Sequence, residues 1–84
     1  MKRGDFIIAI EERARRDRIF GAQLQNDTNM NAFYSICRQQ PDAEVTAAEL
    51  IGLFAQEAYS KHYYREECYR LMLSSPTINT LRQV

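Results

Sequence analysis

One histidine, two cysteines and scattered carboxylates are the residues from which a reactive centre in this sequence would have to be built. A hydrolytic centre needs a nucleophile, a base and an orienting group within hydrogen-bond reach. His62 is the sole imidazole, and Cys68 is the thiol nearest to it along the chain. Six residues apart on a helix they point about 120° from one another, so they form no pair within that helix. His62 is expected to be a packed or hydrogen-bonded core residue. Structural zinc asks for four ligands in short paired spacings, which Cys37, Cys68 and one histidine do not supply. No glycine-rich phosphate loop and no calcium loop is present. Glu11-Glu12 and Glu66-Glu67 are sequence neighbours whose side chains diverge around a helix, and they read as solvated charge. The sequence therefore predicts no catalytic residue, no metal and no cofactor, and a protein that is not an enzyme.

Two thiols without disulfide-type spacing suit a reducing cytoplasm, although a single Cys37–Cys68 bridge stays open. The apolar run from Phe6 to Ile10 is too short for a signal-peptide core or a membrane span. A cytoplasmic protein with no membrane contact is the expectation.

Binding chemistry has more material. Arg13, Arg15, Arg16 and Arg18 form the only dense basic cluster and fan around most of a helical wheel. Local ion pairs on a solvated helix are one reading. Contact of this cluster with a partner, Arg15 and Arg16 foremost, or with a phosphate is the other, since guanidinium suits bidentate recognition. Eleven basic residues balance eleven acidic ones, whereas a dedicated nucleic-acid binder carries a basic excess. Tyr59, Tyr63, Tyr64 and Tyr69 cluster, and tyrosine is enriched at interfaces. With Leu53 and Leu71 they make one long helix apolar on two sides. Either other helices of the domain cover both sides, or Tyr59, Tyr63, Tyr64, Leu53 and Leu71 form an exposed seam for a partner.

The elements that must position these residues are helical. The 84 residues make one domain, 1–84, with a hydrophobic fraction of 45% and only three glycines and two prolines. A chain of this size buries roughly 60% of its unfolded surface, so its stability is marginal. The expected fold is all-α: a small bundle of three to four helices with one long central helix. The first helix is predicted from Asp5, as N-cap, to Leu24. It places Phe6, Ile7, Ile10, Ala14, Gly21 and Leu24 on one face, with Ile8 and Ile19 opposite. Asp17 falls in the middle of the apolar face and needs a partner, for which Arg13 is the nearest candidate. Asn26-Asp27-Thr28-Asn29 supplies an N-cap for a second helix over 29–39, with Met30, Phe33, Tyr34 and Cys37 on its apolar edge; Pro41-Asp42 ends it.

Thr46-Ala47-Ala48-Glu49 is a capping box, and Val45 can staple onto Leu50. The helix it starts has no strong breaker before Ser74-Ser75-Pro76; unbroken, it would be on the order of 40 Å long. A break near Tyr59 to Tyr63 is the alternative. Its core stripe is expected to include Leu50, Ile51, Phe54, His62, Tyr69 and Met72, with Glu57/Lys61 and Glu66/Arg70 as i,i+4 pairs. Ser75-Pro76 would cap a short last helix docked by Ile78 and Leu81.

Two functional classes follow. Ala48 and Gly52 sit four apart, as in a helix-turn-helix, and Ile51 fits a core position. Leu53-Phe54-Ala55 would then have to form the turn, which makes a DNA-binding regulator the second-ranked reading. Glu11 to Leu24, and Val45 to Ile51 continuing through Gln56-Glu57-Ala58, resemble a family of small early-region proteins of tailed temperate phages and prophages. These place an arginine-rich helix before a Leu/Val-Ser/Thr cap and a helix containing Gln-Glu-Ala. The resemblance covers about half of the chain, stops before the tyrosine-rich segment, and carries over no functional residue. It implies a small accessory protein that binds and redirects a host or phage protein in the host cytoplasm. The leading expectation is thus a helical adaptor or inhibitor with a protein partner, with a homodimer as one form it could take.

Overall fold

A computed structural model describes residues 1–55 and 62–74. Among them are five helices: α1 (Arg3–Arg16), α2 (Arg18–Gln25), α3 (Thr28–Gln39), α4 (Ala47–Phe54) and α5 (His62–Leu73). The all-α expectation holds among the described residues, which contain no strand and one isolated antiparallel bridge, Lys2 to Glu44. The helix count and the lengths differ from expectation, and each difference has a local cause.

The first predicted helix is two. Asp17 takes an extended conformation, φ −130° and ψ 107°, and serves both neighbours. Its amide donates to the Arg13 carbonyl at 2.9 Å, closing α1, and its own carbonyl accepts from the Gly21 amide at 2.9 Å, opening α2. Its Oδ1 accepts from the Phe20 amide at 3.1 Å. A short carboxylate able to satisfy an orphan amide competes with helix continuation. Here the cap wins.

The start of α1 also moves. Asp5 lies inside the first turn and Lys2 is the N-cap, without a side-chain cap bond. The free amides of that turn are met instead by the loop after α3: Arg3 N–H donates to Ala43 O at 2.8 Å and Gly4 N–H to Pro41 O at 3.0 Å. The Arg3 guanidinium then reaches Glu49 at 2.6 Å and Gln40 at 2.9 Å. It also lies over the Phe33 ring, 5.9 Å from the centroid. Burial works to raise the Glu49 carboxyl, but the Thr46 amide and Arg3 outweigh it and hold it below the usual range.

Two other starts are as predicted. Asp27 caps α3, its side chain accepting from the Met30 amide at 3.0 Å, and all four residues of the expected apolar edge are buried. The capping box at Thr46 and Glu49 is formed in both directions, and Val45 and Leu50 share the core.

The single long helix is not what the described residues contain. α4 ends at Phe54, and Ala55 is a turn whose amide donates to the Gly52 carbonyl at 3.4 Å. Residues 56–61 and 75–84 lie outside the described set, with the calls on Glu57/Lys61, Ser75-Pro76, Ile78 and Leu81. Within α4 the buried residues are Leu50 and Phe54 alone. Ile51 is 59% exposed and His62 is exposed, not in the core. The buried line of α5 is instead Tyr64, Cys68 and Met72.

One apolar cluster joins all five helices. Tyr64 lies in it, its ring tilted against Phe20 at 5.0 Å and edge-on to Phe54 at 6.1 Å, so one aromatic group holds α5 against α2 and α4. Phe6 and Phe33 meet edge-on at 6.2 Å between α1 and α3. Burying a side chain of this size stabilises by roughly 1.5–3 kcal/mol each, which makes this cluster the main source of stability in a small domain.

Candidate functional site at the junction of α1 and α2

The break at Asp17 brings the arginine-rich segment to a corner of the molecule and sorts its side chains. Arg13 turns toward α5. Its guanidinium donates to the Tyr63 hydroxyl at 2.7 Å and lies 3.4 Å from both Asp17 and Glu67. The Tyr63 hydroxyl in turn donates to Asp17 Oδ2 at 2.6 Å. That bond, reinforced by the Phe20 amide, holds the Asp17 carboxyl below its usual range. The same contact pushes the Tyr63 hydroxyl up, and the Tyr63 bond raises the Arg13 guanidinium. The expected Asp17–Arg13 pair is present, and Tyr63 is the stronger partner of both.

Arg15, Arg16 and Arg18 point the other way. All three are exposed, and none reaches a carboxylate among the described residues. By contrast Arg3, Arg13, Arg38 and Arg70 each lie within 4.0 Å of one. Beside them is a shallow depression of about 470 Å³, floored by Ala14, Gly21, Ala22 and Leu24 and rimmed by Arg15, Arg18 and Gln25. Its shape follows from Gly21: a Cβ there would stand 2.9 Å from the Ala14 carbonyl oxygen, so the two helices meet backbone to backbone. Arg16 borders an adjoining hollow with Glu12 and Arg15. Ile8 and Ile19, expected opposite the core, are 59% and 65% exposed.

The aromatic seam predicted as a partner surface is corrected. Tyr64 has no exposed surface, and Leu53 and Leu71 are partly buried against the core. Helices of the same chain cover that side. Tyr63 keeps an exposed ring, but its hydroxyl is committed to Asp17 and Arg13. Tyr59 lies outside the described residues. What the sequence grouped as one seam is thus a core residue, two flanking residues and an interhelical clasp. Of the predicted partner residues, Arg15 and Arg16 stand on an open surface. Arg18, named in the basic cluster but not among the partner residues, belongs with Arg15, and Ala22 lines the same depression; a continuous helix spreads these side chains around its circumference. The signal that could have found them was Asp17 read as an N-cap.

The helix-turn-helix reading also loses its geometry. Ala48 and Ile51 are exposed, and Gly52 lies inside α4 with nothing within 4 Å of the place its Cβ would occupy.

The buried polar groups sit apart from this corner. Asp27 is 1% exposed. Burial drives the Tyr34 and Tyr64 hydroxyls above their usual range and pushes the Cys68 thiol up to about 12. Both cysteines are free and buried. His62, also apart, lies 3.9 Å from Glu66 at the surface. No group of three or more potential metal ligands occurs among the described residues, and none of their helices is long and apolar enough to cross a membrane.

Comparison with protein-family models, with curated proteins and with solved structures finds no match to this chain.

Proposed function

We propose that this chain works stoichiometrically, as a small accessory protein that binds another protein, and that the α1–α2 corner is the surface it uses. The observation that carries the reading is the set of three exposed arginines without carboxylate partners, Arg15, Arg16 and Arg18, beside an apolar depression. Like charges clustered on one surface of a protein of zero formal net charge raise its electrostatic energy, and an anionic partner relieves that. An adaptor or inhibitor of the phage-type early proteins that the sequence resembles is the form this proposal takes.

The same corner is ill suited to a second copy of the chain. A two-fold contact through it would face six guanidinium groups with one another, and like-charge juxtaposition costs several kcal/mol. Nucleic acid ranks below protein, because the residues nearest to a helix-turn-helix pattern do not hold its positions.

The test is affinity capture from a cell extract with the wild-type protein and with Arg15→Glu/Arg16→Glu/Arg18→Glu. A discrete protein retained by the wild type and lost by the variant, whose thermal melt is unchanged, is the expected result. Retention of the same protein by both, or of nucleic acid alone, overturns the proposal.

A further inference from the structure

We infer that the depression between α1 and α2 receives an acidic protein segment carrying an aliphatic anchor, its carboxylates on Arg15, Arg16 and Arg18 and its anchor on the Ala14–Gly21–Ala22 floor. This names the chemistry of the partner and rests on the binding role proposed above.

Charge complementarity selects an anion. The capping carboxylate, Asp17, is fully used: Oδ1 by the Phe20 amide, Oδ2 by Tyr63 and Arg13. Glu12 borders the hollow beside Arg15 and Arg16 but closes no ion pair within 4.0 Å among the described residues, so a single carboxylate stands against three outward arginines. Arg18 is the first residue of α2, where the helix dipole is positive and no acidic residue stands in the first turn. A cation there is opposed by the helix itself. The Asp17 carboxylate already caps that terminus through the Phe20 amide, so an arriving carboxylate would be met by the guanidinium groups.

The floor selects protein over nucleic acid. Ala14, Gly21 and Ala22 present small or no side chains, with Leu24 beside them. A branched aliphatic group gains from burial there, at about 25 cal/mol per Å² of apolar surface. A phosphate backbone gains nothing from it. Three phosphate contacts alone would give a log–log salt slope of only about −2.7, the mark of weak non-specific binding.

The test is an amide-resolved NMR titration of the full chain with a synthetic peptide alternating Glu pairs with Leu. The same peptide with Ser for Leu, and a short DNA duplex, run in parallel. Saturating shifts at the Gly21 and Ala22 amides are expected with the Glu/Leu peptide, weaker with the Ser peptide. They should weaken about tenfold or more in Arg15→Glu/Arg18→Glu. Arg15→Gln/Arg18→Gln serves as a milder second variant, and preserved shift dispersion elsewhere reports an intact fold. Absence of a saturating response at Gly21 and Ala22, or a response to the duplex in its place, overturns the inference. Loss of the captured protein in the charge-reversed variant would still stand as evidence for the broader binding role, so the two can fail separately.

Discussion

The Tyr63 hydroxyl donates to Asp17 Oδ2 at 2.6 Å across 46 positions of sequence, and so ties the start of α5 to the corner between α1 and α2. Asp17 is the residue that ends one helix and caps the next, so the contact fixes the corner's geometry as well as pinning α5. Arg13 completes the clasp from α1 and also reaches Glu67 on α5.

Removing the hydroxyl alone should therefore be felt at Asp17. In Tyr63→Phe the carboxyl loses its largest stabilising contact, and its pKa is expected to rise toward the ordinary value. The sign for stability follows. A carboxyl held lower in the folded state than in the unfolded chain binds fewer protons when folded, so it stabilises above the unfolded pKa of about 3.9. That stabilisation is lost as pH falls through the lower folded value. The wild type should lose stability across that acidic window, and Tyr63→Phe should show a flatter acid limb. Carbon-detected NMR titration of Asp17 with thermal melts at stepped pH reads both; an unchanged Asp17 titration in the variant would show that the hydroxyl is not its main partner.

The two helical glycines Gly21 and Gly52 should respond to alanine with opposite signs. Alanine at Gly21 places a Cβ 2.9 Å from a backbone oxygen of α1, and forcing the helices apart costs about 1–3 kcal/mol. Better helix propensity returns about 1 kcal/mol of that at most. Gly52→Ala meets open space and should gain about 0.5–1 kcal/mol. Urea unfolding of the pair checks the prediction, and a stabilised Gly21→Ala would contradict the close helix contact.

These contrasts show which parts of the fold were legible from the sequence. Caps that act through a residue's own neighbours are legible because the signal is local: Thr46 with Glu49 on α4 to the residue, and the α3 cap to the turn over 26–29, within which Asp27 is the one that caps. The apolar edge of α3 was readable for the same reason: twelve unbroken helical residues keep their period. Asp17 was recognised as a buried-face carboxylate in need of a partner, and Arg13 was found one turn away. Its capping role, and Tyr63 46 residues downstream, were not. Once a helix is taken as continuous across a cap, every later side chain is assigned to the wrong angle. Hence Arg18 is read at the wrong angle to Arg15; Ile51 lies in an unbroken helix, and its exposure reflects how narrow a face α4 buries, Leu50 and Phe54.

The buried thiols should be inert in the folded protein. Burial raises Cys37 and takes Cys68 to about 12, so neither carries an appreciable thiolate fraction near neutral pH. A thiol reagent at pH 8 is expected to label neither at a measurable rate until denaturant is added, after which both react. Rapid labelling of Cys68 in the native protein would mean that α5 opens locally far more readily than its packing implies.

Arg18 offers the sharpest separation of stability from binding. Where a side chain is kept only for the fold, removing it lowers stability; where it is kept against the fold, removal raises stability and costs function. Arg18 stands at the positive end of α2, exposed, with no acidic residue in that turn. Arg18→Gln should raise stability by a few tenths of a kcal/mol at low ionic strength, with the gain fading as salt screens the dipole. Arg15 and Arg16 lie in the last turn of α1, where the dipole favours cations, so Arg15→Gln should have the opposite small effect. If both substitutions weaken partner capture while moving the melting temperature in opposite directions, a common loss of fold cannot explain the weakening. A destabilised Arg18→Gln would instead place Arg18 among the residues that hold α2 in position.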